Sequence, residues 1–175
     1  MRVFTPDLYL DHVQDITPEL LKEHGIRALI LDVDNTLTRH NSQELPKEVE
    51  NWVALMRLNG FQLMIASNNN ARRIKPFSEK IGIRAIPNSM KPLPIGYRKA
   101  QRTWGLPAEQ IAVVGDQIYT DITGANLCGM LSIMVRYFEP ESGFFFRLKR
   151  VLEHPVLRHY EKTGAHPAAK GGGNV

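Results

Sequence analysis

Two acidic side chains, Asp32 and Asp34, end an apolar run of the chain in the order Asp-Val-Asp-Asn-Thr. In an extended chain, residues two positions apart point to the same side, so both carboxylates can reach one pocket. A carboxylate can attack phosphorus and form an aspartyl-phosphate, which divides hydrolysis into two easier steps. A second carboxylate beside it can protonate the leaving oxygen and then deprotonate the attacking water. The pair indicates phosphoryl transfer, although aspartates after a strand also serve as turn residues.

Further polar groups follow the later apolar runs of the sequence, namely Ser67 with Asn68, then Lys91, then Asp116 and Asp121. Taken singly, each is explained as a turn residue, a helix cap or a surface lysine. Their recurrence after successive predicted strands favours a common site. With the first pair they bring together four carboxylates, which repel one another unless protons or a cation offset the charge. Mg²⁺ suits a site of carboxylates, water and substrate phosphate, and a lysine ammonium suits a phosphate oxygen.

Strand and helix patterns alternate along the chain that must position these groups. Apolar runs of strand length lie at 27–33, 61–66, 83–86, 111–114 and 130–135. Helical patterns lie after Thr17 up to Gly25, and at 46–59, 71–80, 93–104 and 121–127. This alternation predicts an α/β fold with a doubly wound parallel sheet. In such a sheet ligands bind beyond the carboxyl ends of the strands, where the polar groups lie.

The composition is that of one globular domain. The chain has 175 residues, 43% hydrophobic and 23% charged, with a net charge of +4. No apolar run is long enough for a spanning helix, and the N-terminus does not resemble a secretory signal. The single cysteine, Cys128, lies in an apolar stretch, so we expect it in the core rather than acting as a nucleophile. These features predict a cytoplasmic protein.

The run from Asp32 to Thr38 resembles the first motif of the haloacid dehalogenase (HAD) superfamily of phosphatases. Ser67, Lys91 and the pair Asp116 and Asp121 are similar to its second, third and fourth motifs, in order. Within the superfamily, the chain most resembles the subclass IIIA phosphatases of the YqeG type, which are related to phosphatidylglycerophosphate phosphatases. The resemblance implies a Rossmann-like HAD core and an Mg²⁺-dependent phosphatase.

The resemblance also implies roles for individual residues. Asp32 would be the nucleophile and a metal ligand, and Asp34 the general acid/base. Asp34 would also ligate the metal through its backbone carbonyl. Ser67 and Asn68 would bind the phosphoryl oxygens, and Lys91 would orient the phosphate and Asp32.

The same resemblance completes the metal site with residues of the fourth motif. Asp116 would be a ligand of Mg²⁺. Asp121 would either bind the metal or only support Lys91, and the resemblance leaves both roles open.

Spacing bears on the substrate, because 35 positions separate Asp32 from Ser67 and 24 separate Ser67 from Lys91. Each interval holds one helix with its connections, so neither contains a cap domain. An uncapped site is open and suits a bulky phosphomonoester, with phosphatidylglycerophosphate the candidate that the resemblance suggests. Arg39, His40, Arg72 and Arg73 are candidate headgroup contacts, although loop charges more often face solvent.

The chain from Arg136 to its end carries seven Lys or Arg against four Glu, and therefore most of the net positive charge. Positions 144–160 can form a basic amphipathic segment, which would either touch an inner membrane surface peripherally or cover the protein's own sheet. We expect a single domain over 1–160 and a disordered tail over 161–175.

Other functions remain open at the level of sequence. One alternative is a phosphatase for a nucleic-acid end or a soluble phosphorylated metabolite. Another is a non-catalytic module that binds phosphate or the ribosome, but simple binding does not require a nucleophile beside an acid. No pattern in the sequence predicts the oligomeric state.

Overall fold

The computed structural model describes residues 2–136. Within this range the chain forms one six-stranded sheet with helices on both faces. All its strand pairs are parallel, and the strand order is β1-β6-β5-β2-β3-β4. The strands are Leu8–Leu10 (β1), Ala28–Leu31 (β2), Gln62–Ala66 (β3), Ala85–Ile86 (β4), Ile111–Gly115 (β5) and Leu131–Val135 (β6).

Five α-helices connect the strands. They are Pro18–Glu23 (α1), Lys47–Leu58 (α2), Ala71–Ile81 (α3), Ile95–Trp104 (α4) and Thr123–Cys128 (α5). Single turns of 3₁₀-helix lie at Arg2–Phe4, Val13–Asp15 and Ala108–Gln110, and a π-helix at Ile118–Ile122 runs into α5. The doubly wound parallel sheet predicted from the alternating pattern is confirmed.

The central strand β2 lies between β3 and β5, and Ile30 is paired with Met64 on one side and with Val113 on the other. From β2 the chain proceeds outward to β3 and β4, and then crosses back to β5 on the opposite side. The strand order therefore reverses between β2 and β5. At such a reversal the loops beyond the carboxyl ends separate and leave a crevice.

The capping residues explain where the first helices begin. The side chain of Thr17 accepts a hydrogen bond from the Leu20 amide at 3.1 Å, and Pro18 occupies the first helical position. The second helix begins at Lys47, one residue after the predicted start, because Pro46 is its N-cap. Trp52 lies on the buried face of α2 and donates its ring N–H to the carbonyl of Ile16 at 2.8 Å.

Each face of the sheet has its own core. On one face, α2 and α3 contribute Val49, Trp52, Val53, Met56, Ile74, Phe77 and Ile81. On the other face, α4 and α5 contribute Tyr97, Ala100, Ala125 and Cys128. Cys128 is 2% exposed, which confirms its prediction as a core residue. The absence of a side chain at Gly124 lets the Tyr97 ring pack against α5, since a Cβ there would lie 2.3 Å from the ring Cε2.

Two features of the fold bear on substrate access. Between Asp32 and Ser67 the chain forms α2 and β3 only, and between Ser67 and Lys91 it forms α3 and β4 only, so neither interval holds a cap domain. Within residues 2–136, no helix combines the length and the apolar character needed to cross a membrane. The segments at 144–160 and 161–175, for which membrane contact and disorder were predicted, lie outside the described residues.

Candidate active site

The carboxyl ends of the three central strands bring polar side chains to one edge of the sheet. Asp32 directly follows β2, Ser67 directly follows β3 and Asp116 directly follows β5. All three are buried, with exposed fractions of 7%, 2% and 0%. The amide of Asp32 donates to the carbonyl of Val114 at 2.9 Å, so the hydrogen bonding between β2 and β5 continues up to the site.

A buried lysine connects two of the carboxylates. The Lys91 ammonium lies 2.7 Å from Oδ1 of Asp32 and 2.6 Å from Oδ1 of Asp121. The Lys91 side chain is only 4% exposed. The loop that follows β4 therefore delivers a cation between acids that follow β2 and β5.

Burial and charge act in opposite directions on these groups. Burial raises the pKa of Asp32 to about 7, with the Lys91 ammonium acting against this rise and the Asp121 carboxylate adding to it. Burial alone would lower the pKa of Lys91, but the carboxylates of Asp121 and Asp32 raise it above its usual range. Lys91 is consequently charged at neutral pH, and Asp32 ionises more readily when a further cation is close.

Both oxygens of Asp121 are engaged. Oδ1 pairs with Lys91, and Oδ2 accepts from the Gln117 amide at 3.2 Å and from the Thr120 hydroxyl at 3.4 Å. The carboxylate packs directly on the backbone of β5, since a Cβ on Gly115 would lie 2.2 Å from Cγ of Asp121. Of the two roles left open for Asp121, this arrangement favours orientation of Lys91.

Three carboxylates can approach a common metal ion. Asp32, Asp116 and Asp121 each offer one oxygen, and these three atoms lie within 4.8 Å of one another. All three residues are buried, and three carboxylates beside a single ammonium leave an excess of negative charge. An oxygen-only donor set with this charge fits a hard divalent cation such as Mg²⁺.

The side chain of Asp34 belongs to a different set of contacts. Its Oδ1 accepts from the Asn41 amide and from Nη2 of Arg73, and its Oδ2 accepts from the side-chain amide of Asn69, each at 2.7 Å. The same Arg73 nitrogen donates to the carbonyl of Ser42 at 2.8 Å. Asp34 thus pairs with Arg73, whereas Asp32, Asp116 and Asp121 form the group of three acids, and the roles predicted for Asp34 stay predictions.

Strand β2 ends at Leu31, so both aspartates lie beyond it. The alternation of side chains along a strand does not extend beyond that residue, so the contacts of Asp34 are set by the loop in which it lies. The ion pair corrects the expectation that Arg73 faces solvent, because its side chain is only 14% exposed. The neighbouring Arg72 is exposed, as expected.

The signal for Arg73 is present in the sequence but indirect. Asn70 caps α3, with its side-chain oxygen accepting from the Arg73 amide at 3.0 Å. The first turn of a helix that follows β3 lies at the carboxyl edge of the sheet. A capping asparagine followed three residues later by an arginine therefore places a cation beside the site.

Ser67 and Asn68 directly follow β3, and Asn68 contacts the backbone of Lys91. The side-chain oxygen of Asn68 accepts from the Lys91 amide at 2.7 Å, and its side-chain nitrogen donates to the Lys91 carbonyl at 3.0 Å. Ser67 accepts a hydrogen bond from the Asn69 amide at 3.2 Å. Asn68 thus fixes the backbone that carries the lysine, while its contact with phosphate remains a prediction.

Comparison with known proteins finds that this chain is similar to phosphatases. A family model described as mitochondrial PGP phosphatase matches residues 1–137. The chain is 35% identical over 163 residues to the probable phosphatase YqeG of Bacillus subtilis. The matched region covers 93% of this chain and 95% of that protein.

Two further comparisons are more distant. The chain is 25% identical over 175 residues to phosphatidylglycerophosphate phosphatase 1, chloroplastic/mitochondrial, of Arabidopsis thaliana, covering 93% of this chain but 49% of that protein. A cobalt-bound deoxy-D-mannose-octulosonate 8-phosphate phosphatase of Haemophilus influenzae superposes with a TM-score of 0.53 at 14% identity, covering 85% of this chain and 97% of the other. The structural likeness confirms the Rossmann-like fold.

Proposed function

This chain belongs to the PGP phosphatase family within the HAD-superfamily phosphatases, and we propose that it hydrolyses a phosphomonoester through an aspartyl-phosphate on Asp32. The observation that carries the proposal is the Lys91 ammonium, 2.7 Å from Asp32 and 2.6 Å from Asp121. A lysine so placed orients the nucleophile and meets the equatorial oxygens of an incoming phosphoryl group. Mg²⁺ held by Asp32 and Asp116 would neutralise charge on that group.

The first half-reaction transfers the phosphoryl group to the protein. One carboxylate oxygen of Asp32 attacks phosphorus, and the bond between phosphorus and the leaving oxygen breaks as the new bond forms. The leaving oxygen takes a proton from the carboxyl group of Asp34 and departs as an alcohol. Ser67, Asn68 and Lys91 bind the phosphoryl oxygens during the transfer.

The second half-reaction restores the enzyme. Asp34, now a carboxylate, takes a proton from a water molecule that attacks the aspartyl-phosphate. The bond between phosphorus and Asp32 breaks, and inorganic phosphate leaves. Asn41, Asn69 and Arg73 support this cycle by holding Asp34 in one rotamer, because each donates a hydrogen bond of 2.7 Å to its side chain.

The proposed substrate is a lipid phosphomonoester of the phosphatidylglycerophosphate type. Two facts support it: the sheet edge has no cap domain, and the Arabidopsis relative is named a phosphatidylglycerophosphate phosphatase. An uncovered site accepts a large substrate, such as a headgroup that remains attached to its membrane.

The test measures phosphate release by the full-length chain with and without Mg²⁺. We expect turnover of an aryl phosphate that disappears in Asp32→Asn and persists in Asp11→Asn, a matched control at an exposed aspartate. In Asp34→Asn, mass spectrometry of acid-quenched protein should find a phosphoryl adduct on the peptide that contains Asp32. Equal turnover in Asp32→Asn would refute the mechanism.

The substrate requires a separate comparison. Phosphatidylglycerophosphate in mixed micelles is assayed beside soluble sugar phosphates and 5′-phosphorylated RNA, with Asp32→Asn as the blank. We expect the lipid to have the highest kcat/KM. A higher value for any soluble phosphate or for RNA would exclude the lipid as the preferred substrate and leave the chemistry intact.

A further inference from the structure

The loop that carries Lys91 presents apolar side chains to solvent. Met90 is 53% exposed, Leu93 is 49% exposed and Ile95 is 52% exposed. Eight large hydrophobic side chains of residues 2–136 are exposed, and three of them lie within these six positions. Isolated exposed apolar residues are ordinary, but a cluster of them marks an interaction surface. We call residues 90–95 the apolar loop.

The apolar loop is adjacent to the catalytic machinery. The amide of Leu93 donates to the carbonyl of Met90 at 2.8 Å and closes a turn around Lys91. Lys91 itself is 7% exposed and points into the site, between Asp32 and Asp121. One turn therefore holds the phosphate-binding lysine on its inner side and apolar groups on its outer side.

The backbone at Met90 strengthens this interpretation. Its φ is +60°, in the left-handed region that side chains with a Cβ rarely adopt and that glycine adopts readily. A glycine at this position would avoid both the backbone strain and the exposure of an apolar side chain. The methionine is unfavourable for the isolated molecule on both counts, which points to a role in contact with something outside it.

A basic surface continues from the apolar loop along α4. Ile95, Arg98, Lys99 and Arg102 are spaced at i, i+3, i+4 and i+7 and so share one face of the helix. The three cations are exposed, and α4 contains no acidic residue. Within residues 2–136 none of the three forms an ion pair; Arg98 and Arg102 only donate hydrogen bonds to neutral oxygens of their own helix. We call Arg98, Lys99 and Arg102 the basic stripe.

We propose that the apolar loop and the basic stripe together dock this chain on an anionic lipid bilayer. Apolar side chains enter the boundary between headgroups and acyl chains, while the cations remain among the anionic headgroups. An acidic protein would also pair with the basic stripe. A bilayer is favoured because Lys91, on the inner side of the same turn, would then lie close to a phosphorylated headgroup of that bilayer. This inference rests on the proposed lipid phosphomonoesterase activity and adds the surface by which the substrate is reached.

The experiment measures co-sedimentation of the full-length protein with vesicles of phosphatidylcholine, with or without phosphatidylglycerol. Leu93→Ser/Ile95→Ser removes two exposed apolar groups and leaves Lys91 in place. The matched control is Leu58→Ser, at an 86% exposed leucine that ends α2 and lies at the opposite edge of the sheet. We expect the double variant to bind anionic vesicles about tenfold more weakly and Leu58→Ser to bind normally.

A second variant tests the charge. Arg98→Gln/Lys99→Gln should bind anionic vesicles about twenty-five-fold more weakly, since each basic residue near such a surface contributes about fivefold to binding. Its binding to pure phosphatidylcholine should not change. Added salt should weaken the parent protein on anionic vesicles and have a smaller effect on this variant, which retains only Arg102 of the basic stripe.

Turnover of a soluble aryl phosphate, measured on every variant, separates this inference from the proposed function. We expect it to be unchanged in both double variants. If the parent hydrolyses aryl phosphate but does not bind vesicles, or if the loop variant binds like the parent, the docking surface is refuted while the phosphatase stands. Joint loss of soluble turnover and vesicle binding in Leu93→Ser/Ile95→Ser would also refute it, because the loop would then serve the site instead of the bilayer.

Discussion

Replacing Lys91 by methionine tests whether the site is held together by a buried cation. The ammonium is within 2.7 Å of a carboxylate oxygen of both Asp32 and Asp121, and the side chain is 4% exposed. Methionine retains similar length and removes the charge. Lys91→Met therefore leaves two buried carboxylates close together without their cation.

The magnitude follows from the burial of these charges. Removing one partner of a buried ion pair costs about 3–5 kcal/mol, because the remaining charge is uncompensated. A domain of this size has a free energy of unfolding of about 5–15 kcal/mol, so the variant should be weakened but able to fold. The loss of stability becomes smaller when the carboxyl group of Asp32, whose pKa is raised by burial, binds a proton instead.

The dependence on pH has a definite sign. Burial raises the pKa of Asp32 to about 7 even with Lys91 present, and loss of the lysine removes an influence that lowers it. A carboxyl group whose pKa is raised by folding destabilises the folded state at high pH. The destabilisation grows as the pH rises from the pKa of the group in the unfolded chain, about 3.9, through its pKa in the folded chain. The destabilisation by Lys91→Met should therefore be small at about pH 5 and large at about pH 8.

The assay is urea unfolding in the presence of a chelator, followed by circular dichroism at both pH values. Lys47→Met is the matched control, because Lys47 pairs with Glu50 on the surface with 74% and 55% of the two side chains exposed. Such a pair contributes about 0–1 kcal/mol. In the double variant Lys91→Met/Asp121→Asn, we expect at least half of the free energy of unfolding that Lys91→Met loses to be regained. A loss below about 1 kcal/mol at alkaline pH, or an equal loss at both pH values, would refute the reasoning.

Two further predictions concern the neighbours of this lysine and of the general acid. Gly115→Ala should lower the free energy of unfolding by about 1–3 kcal/mol in urea titrations, because its Cβ would lie 2.2 Å from Cγ of Asp121. A parent-like stability would show that Asp121 moves aside easily. Arg73→Gln should lower kcat on an aryl phosphate by about tenfold to a hundredfold with little change in KM, since Asp34 loses its fixed position. The exposed neighbour provides the control Arg72→Gln, and equal kinetics in both variants would contradict a positioning role for Arg73.

The alternating pattern of the sequence predicts five of the six strands because those strands are apolar and buried. The exception is β1, which has only three residues, Leu8–Leu10, with the last two half-buried. It lies at the sheet edge and pairs with β6, where Leu8 is opposite Ile133. A partner so distant in the chain leaves no local periodicity, and so a short edge strand of this kind is not visible in a sequence pattern.

The last helix shows a second limit of sequence patterns. Its predicted start is at 121, whereas a π-helix begins at Ile118 and α5 follows at Thr123. The Asp121 carboxylate accepts from the Gln117 amide in this turn and pairs with Lys91 across the site. The backbone conformation of this turn therefore depends on a contact with a residue distant in the chain, and helix propensity carries no information about such a contact.

The site residues were predictable where topology alone decides their position. The carboxyl ends of parallel strands meet at one edge, so Asp32, Ser67 and Asp116 must lie near one another. The pairing of Asp34 with Arg73 was not predictable in this way, because Asp34 lies in a loop beyond β2. The part of Asn68 in fixing Lys91 depends on the conformation of two loops, which the sequence pattern does not define.

The two aspartates of the first motif are two positions apart, yet each pairs with a cation from a different part of the chain. Asp32 pairs with Lys91 from the loop after β4, and Asp34 pairs with Arg73 from the first turn of α3. A single shared cation would draw both carboxylates to one point and leave them equivalent. Separate cations fix them in different directions and surroundings, and two carboxyl groups in different surroundings can act one as nucleophile and the other as acid and base. The division of labour within the motif therefore originates in the strand order, which brings β4 and α3 to the same edge as β2.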